Sequence, residues 1–304
     1  MSLIDLTVNL AGMELEHPLM NAAGTCKVLF GDEGLRKLVK TPSAAVMIGS
    51  ATVKQIAGNS GDVFWTSKDY SLNSLGLPNP GFDYYASNLP EMVKLAHGAG
   101  KKLFFSIAGF TPNEFAKLAI LAVQCKVDLL ELNLGCPNLW EGATQKRIIC
   151  FDPQLVSDVL DVVSVMTDQF PVTVKVSPYS DPFLLKQIAE VLVGFKMVRA
   201  VTTTNTFPNS LALGEAGKPR ITPAGGLSGL GGAALKPIGL GQVRQWREAL
   251  PKEVSIIGVG GITCGRDILD YLRAGATAVQ VATSYLVEGP RVFDRLLTEY
   301  AELV

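Results

Sequence analysis

The sequence contains no apolar run long enough for a membrane-spanning helix and no run of basic residues. A transmembrane helix needs about 18 or more consecutive apolar residues. Residues Met1–Asp5 show no basic region followed by an apolar core, so we expect no signal peptide. The net charge is −1, which argues against nucleic acid or an anionic membrane as the main partner.

Histidines and paired cysteines are also scarce. With His17 and His97 as its two histidines, the chain is poorly equipped for a histidine-based catalytic site. The five cysteines are odd in number and lack C-x-x-C spacing, so we expect free thiols in a reducing compartment, and no disulfide framework, zinc site or iron–sulfur site. These features predict a soluble cytoplasmic protein.

What the sequence does contain is an alternation of buried strands and amphipathic helices. Its 304 residues, 48% of them hydrophobic, suit one large domain over residues 1–304. The apolar runs predict strands at 18–24, 44–50, 102–109, 129–135, 172–177, 200–205, 255–260 and 278–283. Apolar spacings of three and four predict helices near 31–39, 88–99, 112–124, 153–168, 183–193, 238–249, 265–274 and 288–303.

This alternation predicts an α/β fold, a (β/α)₈ TIM barrel. Residues 4–16 predict a β-hairpin around Ala11-Gly12 that plugs one end of the barrel. The long segments 51–87 and 206–237, and the shorter 137–151, follow barrel strands and so belong on the C-terminal face, where barrel enzymes carry their active sites. A doubly wound sheet is the alternative, but the first strand lacks the G-x-G-x-x-G turn of a dinucleotide fold.

Polar side chains gather where the predicted strands end. Asn133 lies near the end of the fourth strand, Cys136 and Asn138 follow it, and Lys175 lies near the end of the fifth. There are no paired carboxylates for glycoside hydrolysis and no His/Asp/Glu cluster for a catalytic metal. The glycine-rich 258–261 and the Ala282-Thr283 pair follow strands seven and eight, the usual phosphate site of such barrels. The pattern predicts a planar, hydrogen-bonding ligand and a phosphate-bearing cofactor.

Several motifs resemble those of dihydroorotate dehydrogenases of the soluble class 1, in the same order along nearly the whole chain. They are MNAAG, SLNSLGLPNPGFDYY, ELNLGCPN, VTVKVSPY, the Asn205-Thr206 pair, GGLSGLGGAALKP and GVGGI…AGATAVQVAT. The resemblance is to class 1A, the homodimeric, fumarate-using branch, although GGLSGLGGAALKP is intermediate with class 1B, which uses NAD through an electron-transfer subunit. The family implies an FMN enzyme that oxidises (S)-dihydroorotate to orotate in pyrimidine biosynthesis.

The resemblance also implies roles for individual residues. Cys136 matches the general base that removes a proton from C5, hydride from C6 passes to flavin N5, and Lys175 is the second catalytic residue. The positions that match cofactor-binding residues are Ala23, Gly24, Ser50, Asn133, Lys175, Gly229, Gly260, Gly261, Ala282 and Thr283. The positions that match substrate-binding residues are Asn73, Leu75, Gly76, Leu77, Asn133, Asn138, Asn205 and Thr206.

The chain departs from the family pattern in two places. Gly49 stands where the family usually has a lysine, and the loop after Cys136 is longer than usual. Lys146 or Arg147 in that loop is a candidate to replace the missing charge. Two alternatives therefore stay open: a related FMN oxidoreductase acting on another dihydropyrimidine or enoate, and a flavin-free barrel lyase or isomerase that binds a phosphorylated substrate.

Overall fold

The computed structural model describes residues 5–26, 33–141, 144–167 and 169–304. In chain order its strands are β1 (Val8–Leu10), β2 (Met13–Leu15), β3 (Leu19–Asn21), β4 (Ala45–Ala51), β5 (Phe64–Thr66), β6 (Ser71–Asn73), β7 (Lys102–Ile107), β8 (Leu129–Asn133), β9 (Trp140–Glu141), β10 (Thr144–Gln145), β11 (Val172–Val176), β12 (Val198–Thr203), β13 (Phe207–Ser210), β14 (Ser228–Gly231), β15 (Ser255–Val259) and β16 (Ala278–Val281). Its helices are α1 (Glu33–Leu38), α2 (Phe82–Gly98), α3 (Pro112–Gln124), α4 (Pro153–Thr167), α5 (Pro182–Val193), α6 (Lys236–Ala249), α7 (Gly265–Ala274), α8 (Thr283–Glu288) and α9 (Val292–Ala301).

Eight parallel strands form the barrel, in the order β3-β16-β15-β12-β11-β8-β7-β4. The seam between β3 and β4 is bridged by two backbone hydrogen bonds, Ala44 N to the Leu19 carbonyl at 3.0 Å and Gly24 N to the Gly49 carbonyl at 2.8 Å, and by the side chain of Asn21. Asn21 accepts a hydrogen bond from the Met47 amide at 2.9 Å and donates to the Met47 carbonyl at 2.8 Å. The predicted TIM barrel is therefore confirmed.

The barrel has one core inside the strands and another between the strands and the helices. The inner core includes Met20, Phe104 and Ile257, and Leu10 and Leu15 of the β1–β2 hairpin pack against it. The hairpin lies at the start of the strands, where the Ala11 amide donates to the Ser255 hydroxyl at 3.1 Å. The predicted hairpin plug is confirmed, and it keeps water out of the barrel at the end away from the cavity.

Two of the predicted helix boundaries are wrong. Helix α2 begins at Phe82, so the end of the predicted loop 51–87 is helical, and Pro90 lies inside the helix. An apolar face of Tyr85, Leu89 and Met92 buries this early part, which compensates for the amide hydrogen that proline lacks. The predicted last helix, 288–303, begins too early: α9 starts at Val292, after Gly289-Pro290 breaks the helical pattern, and the preceding helix α8 was not predicted. Thr283, predicted to end the last strand, begins α8.

The long segments on the C-terminal face contain strands that the sequence pattern did not reveal. Strands β5 and β6 from one segment and β13 and β14 from the other form an antiparallel sheet in the order β13-β14-β6-β5. The β6–β14 pairing sets Asn73 opposite Gly229. Segment 137–151 contains the short β9–β10 hairpin. The start of the predicted helix 31–39, residues 31–32, lies outside the described residues.

Candidate active site

A cavity of about 630 Å³ opens at the C-terminal ends of the barrel strands, under the antiparallel sheet. Both predicted catalytic residues, Cys136 and Lys175, line it. So do the other residues expected to contact cofactor or substrate, with one difference described below: Ala23, Gly24, Ser50, Asn73, Leu75, Gly76, Leu77, Asn133, Asn138, Asn205, Thr206, Gly260, Gly261, Ala282 and Thr283. The parallel strands bring these side chains together because their carboxyl ends meet at one rim.

Gly229 is the exception among the predicted cofactor-binding residues, because it does not line the cavity. It lies on β14 behind Thr206 and Asn73, and its carbonyl accepts a hydrogen bond from Asn73 Nδ2 at 3.3 Å. A Cβ at this position would press on the Thr206 hydroxyl, closer than real Cβ atoms come. The glycine therefore lets β14 approach the wall residue Thr206, and a direct cofactor contact stays a prediction.

The floor of the cavity carries a continuous line of hydrogen bonds between polar side chains. Ser106 and Ser50 share a hydrogen bond of 2.8 Å between their hydroxyls. Asn133 Nδ2 donates to Ser50 Oγ at 2.9 Å, and Asn205 Nδ2 donates to Asn133 Oδ1 at 3.2 Å. The line joins the ends of four barrel strands, so the side chains facing a ligand are fixed before it binds.

The side-chain amides of Asn73 and Asn138 form a pair at the cavity wall made by the antiparallel sheet. Asn138 Nδ2 donates to Asn73 Oδ1 at 2.9 Å, and Asn59 Nδ2 donates to the Asn138 carbonyl at 3.3 Å. Asn138 Oδ1 and Thr206 Oγ1 are buried and have no hydrogen-bond partner among the described residues. Buried polar atoms of this kind are costly unless they are paired, so this wall is suited to a ligand that supplies both donors and acceptors.

Lys175 is the charged residue in the floor of the barrel. Its side chain is 6% exposed, and its ammonium lies 3.9 Å from Oε1 of Glu131, whose side chain is fully buried. Neither carboxylate oxygen of Glu131 has a hydrogen-bond partner in the described part of the chain. The lysine is thus held in place by an opposite charge, while its ammonium lines the cavity.

Cys136 follows β8 and lines the same cavity, with a partly exposed side chain. Burial raises the pKa of its thiol to about 11 from the ordinary 9.0, although a backbone hydrogen bond from Asn138 and the charge of Lys175 lower it. The residue is therefore a thiol at neutral pH. A thiol can act as a general base only through its thiolate fraction.

Gly49 could not be replaced by lysine on this backbone. Its φ is +96°, a conformation that L side chains rarely adopt, and an added Cβ would collide with the carbonyl oxygen of Ser106 on β7. Lys146 and Arg147 in the loop after Cys136 do not take over the missing charge. The ammonium of Lys146 lies 4.7 Å from the centre of the Phe110 ring, and Arg147 forms an ion pair of 2.7 Å with Asp152. Neither of them lines the cavity, so the idea that they replace the lysine is wrong.

The ends of β15 and β16 form a cradle of small residues on one side of the cavity. Gly260 and Gly261 have φ values of +124° and +68°. A Cβ on Gly261 would collide with the backbone of Lys236, so glycine is required there. Thr283 Oγ1 shares a hydrogen bond of 2.9 Å with Ser71 of the antiparallel sheet. Backbone N–H groups freed by such turns are suited to a phosphate.

Two further lining residues were missed by the sequence reasoning. Gln280 is fully buried, and neither its amide nitrogen nor its amide oxygen has a partner among the residues described. Thr204 is 1% exposed and its hydroxyl is likewise unpaired. The alternation along β16 could have indicated Gln280, because Ala278 faces the inner core while Val279 and Val281 face the outer one. These unpaired groups and the glycine cradle fit a polar, phosphate-bearing cofactor such as FMN.

The described residues, 5–26, 33–141, 144–167 and 169–304, contain neither a candidate metal cluster nor a candidate membrane-spanning helix. No group of three or more His, Cys, Asp or Glu in these ranges could hold a metal ion. No helix within them is long and apolar enough to cross a membrane. The fold, the amide-rich cavity, the glycine cradle and the buried lysine define the class as an α/β barrel built for a phosphate-bearing cofactor and a planar polar substrate.

Known proteins identify the family within this class. A family model described as dihydroorotate dehydrogenase matches residues 5–304. The chain is 34% identical over 302 residues to dihydroorotate dehydrogenase A (fumarate) of Lactococcus lactis subsp. cremoris, covering 98% of this chain and 94% of that protein. It is 35% identical over 308 residues to dihydroorotate dehydrogenase (fumarate) of Trypanosoma cruzi, covering 98% and 93%.

Solved structures agree on the fold. A crystal structure of DHODH in complex with ferulenol from Eimeria tenella superposes with a TM-score of 0.82 at 21% identity, covering 98% of this chain and 84% of that one. The chain belongs to the dihydroorotate dehydrogenase family. Members of this family are FMN flavoproteins and oxidoreductases of pyrimidine biosynthesis, as the sequence motifs predicted. Family membership argues against the flavin-free lyase or isomerase.

Proposed function

We propose that this protein oxidises (S)-dihydroorotate to orotate with bound FMN and passes the electrons to fumarate. The observation that carries the proposal is the meeting of Cys136, Lys175 and the Asn73–Asn138 pair in one cavity of a dihydroorotate dehydrogenase barrel. FMN, when bound, supplies the acceptor for the hydride that leaves C6 of the substrate. The remaining chemistry belongs to the residues of this chain.

The asparagines orient the substrate. Asn73 and Asn138 line the cavity next to Cys136, with Asn133 and Asn205 on the floor. Each carboxamide offers one acceptor and two donors, which complement the alternating N–H and C=O groups of a dihydropyrimidine ring. The backbone of Leu75–Leu77 and the hydroxyl of Thr206 complete the proposed substrate contacts. Because Asn133 and Asn138 are already held by hydrogen bonds, little side-chain entropy is lost when the substrate binds.

Cys136 removes the proton from C5. The reacting form is the thiolate, and its formation is favoured by the nearby Lys175 charge and the Asn138 backbone hydrogen bond. Lys175 lies in the floor, held by Glu131. We propose that its fixed charge would stabilise the negative charge that the flavin ring gains when it accepts the hydride.

The cofactor would be held by the residues at the barrel rim and floor. The phosphate would be received by the N–H groups around Gly260, Gly261, Ala282 and Thr283. Ala23, Gly24, Ser50, Asn133 and Lys175, which line the same cavity, would hold the rest of the cofactor. In this arrangement Gly229 contributes indirectly, by allowing Thr206 its position.

The experiment that tests the proposal is anaerobic stopped-flow mixing of the purified flavoprotein with dihydroorotate. We expect rapid bleaching of the flavin band in the wild type, and reoxidation on adding fumarate. Cys136→Ala should keep the flavin bound but lose rapid bleaching. A protein that purifies without flavin, or a wild type that stays oxidised with dihydroorotate, would contradict the proposal.

One observation favours a second candidate substrate, a dihydropyrimidine that lacks the carboxylate. Position 49 carries no cation, Lys146 and Arg147 are engaged outside the cavity, and the Lys175 ammonium is shared with Glu131. A substrate carboxylate would then lack the charge-assisted hydrogen bond of a lysine at position 49, which is about twice as strong as a neutral one; the lysines that do line the cavity are Lys175 and Lys68. Stopped-flow reduction by dihydrouracil but not by dihydroorotate would favour this candidate, and the reverse result would exclude it.

We also propose that the protein works as a cytoplasmic homodimer, as the resemblance to class 1A implies. Light scattering of the purified flavoprotein at micromolar concentration should give twice the chain mass. If instead fumarate fails to reoxidise the reduced protein, an electron-transfer subunit of the class 1B kind becomes the partner to seek. Cell fractionation with an antibody tests the location.

A further inference from the structure

Gln280 is a buried glutamine whose side chain finds no partner in the protein. It is 0% exposed, it lines the cavity, and both ends of its amide are unpaired among the residues that the structure describes. Leaving a buried polar group unpaired is destabilising, because the group loses its hydrogen bonds to water and gains none in return. An apolar side chain of the same shape would suit an inner barrel core better, so the amide has a use beyond packing.

The position of Gln280 along its strand indicates which part of a ligand it meets. It lies two residues before Ala282 on β16, at the rim where the glycine cradle is suited to a phosphate. Strand residues rise by about 3.3 Å each, so this amide lies roughly 6–7 Å deeper than the cradle. In FMN the group next to the phosphate, at about this distance, is the ribityl chain with its hydroxyls.

A second unpaired group at the same depth of the barrel supports this assignment. Thr204 follows β12, lines the cavity and is 1% exposed, and its hydroxyl lacks a partner within the described ranges. A hydroxyl group of a ligand both donates and accepts hydrogen bonds. The glutamine amide and the threonine hydroxyl can likewise donate and accept hydrogen bonds. Neither residue belongs to the set that the family resemblance implied.

We propose that Gln280, together with Thr204, is a cofactor-binding residue that recognises the ribityl hydroxyls of FMN. The inference rests on the proposed function in so far as FMN is the cofactor, and it does not depend on which substrate is oxidised. Gln280 has no part in the proton or hydride steps. Its contribution is to affinity and to the choice of a hydroxylated side chain on the flavin.

The test compares two ligands with the flavin-free wild type and with Gln280→Met. One ligand is FMN, and the other is an analogue in which a phosphopentyl chain without hydroxyls replaces ribityl phosphate. Quenching of flavin fluorescence gives both dissociation constants. The substitution should weaken FMN about 10-fold, as expected for one or two net hydrogen bonds, and should leave the affinity for the analogue within about twofold. The visible spectrum of the bound flavin should not change.

Gln242 provides a matched control, because it is a buried glutamine whose amide is paired. Its Oε1 accepts from the Tyr179 amide at 2.9 Å, and its Nε2 donates to the Tyr179 carbonyl at 2.9 Å. Gln242→Met should lower the unfolding free energy of the flavin-free protein and leave the ratio of the two affinities unchanged. Gln280→Met should leave the stability of the flavin-free protein unchanged or raise it.

Two results would overturn the inference. If Gln280→Met binds FMN as tightly as the wild type, the amide does not contact the cofactor. If it weakens FMN and the analogue equally, or shifts the flavin spectrum, the amide acts on the ring or the shape of the wall and not on the ribityl hydroxyls. A wild type that binds neither ligand would instead refute the proposed function, and this outcome is seen before any variant is made.

Discussion

The strongest prediction concerns the dependence of flavin reduction on the ionisation of Cys136. Burial raises the pKa of this thiol to about 11, so at pH 7 only about one molecule in 10⁴ carries the thiolate. The rate of reduction by dihydroorotate should therefore rise about 10-fold for each pH unit between 7 and 9. The total change over this range is about 100-fold, measured by anaerobic stopped flow at saturating substrate.

Removing the thiol should abolish this dependence. Cys136→Ala is expected to slow reduction by about 10²–10⁴-fold, the usual contribution of a general base, and to leave the residual rate almost independent of pH. Because the alanine variant keeps the cavity wall, FMN should stay bound, which the flavin spectrum reports.

Cys150 is the control for nonspecific effects of a buried thiol. Its pKa is also raised by burial to about 11, but its sulfur accepts a hydrogen bond from the Ser177 amide at 3.3 Å and it does not line the cavity. Cys150→Ala should keep the wild-type rate and pH slope. A wild-type rate that is flat from pH 7 to 9, or a Cys136→Ala variant that keeps more than about a tenth of the rate, would refute the reasoning.

Three stability measurements on the flavin-free protein, each by urea unfolding, test the structural argument. Gly49→Ala should lower the unfolding free energy by about 2–4 kcal/mol, because the residue has a positive φ and its Cβ would collide with β7. Gly100 is the control, since its φ is +73° but a Cβ there would meet open space; Gly100→Ala should lower the unfolding free energy by about 1 kcal/mol. Lys175→Gln should lower the unfolding free energy by about 3 kcal/mol, because it leaves the Glu131 carboxylate buried without its cation. Adding Glu131→Gln to this variant should recover most of that loss. If the effects of the two substitutions simply add, the two residues are not coupled. Leu15→Ala should cost about 2–5 kcal/mol by opening a cavity between hairpin and inner core, and an unchanged urea midpoint would show that the hairpin does not plug the barrel.

The barrel and most of the cavity wall follow from the local sequence pattern. Strands such as β8 and β11 are rich in leucine and valine, and every residue in them is buried, as expected for strands of a parallel barrel whose two faces are both covered. Because parallel strands end at one rim, the residues after each strand had to face one another. Cys136 and Lys175 were therefore predictable as neighbours in one cavity.

The way in which the long segments fold over that rim depends on tertiary contacts between residues that are distant in the sequence. Asn73 and Gly229 pair across β6 and β14 although they are far apart in the sequence, and such pairing forms only after the barrel has brought both segments to the same face. The same dependence explains why Lys146 rests on Phe110 and does not reach the cavity, and why the amide of Gln280 is left unpaired. Local sequence sets which residues are buried, but the partner of a buried polar group is chosen by packing between distant segments.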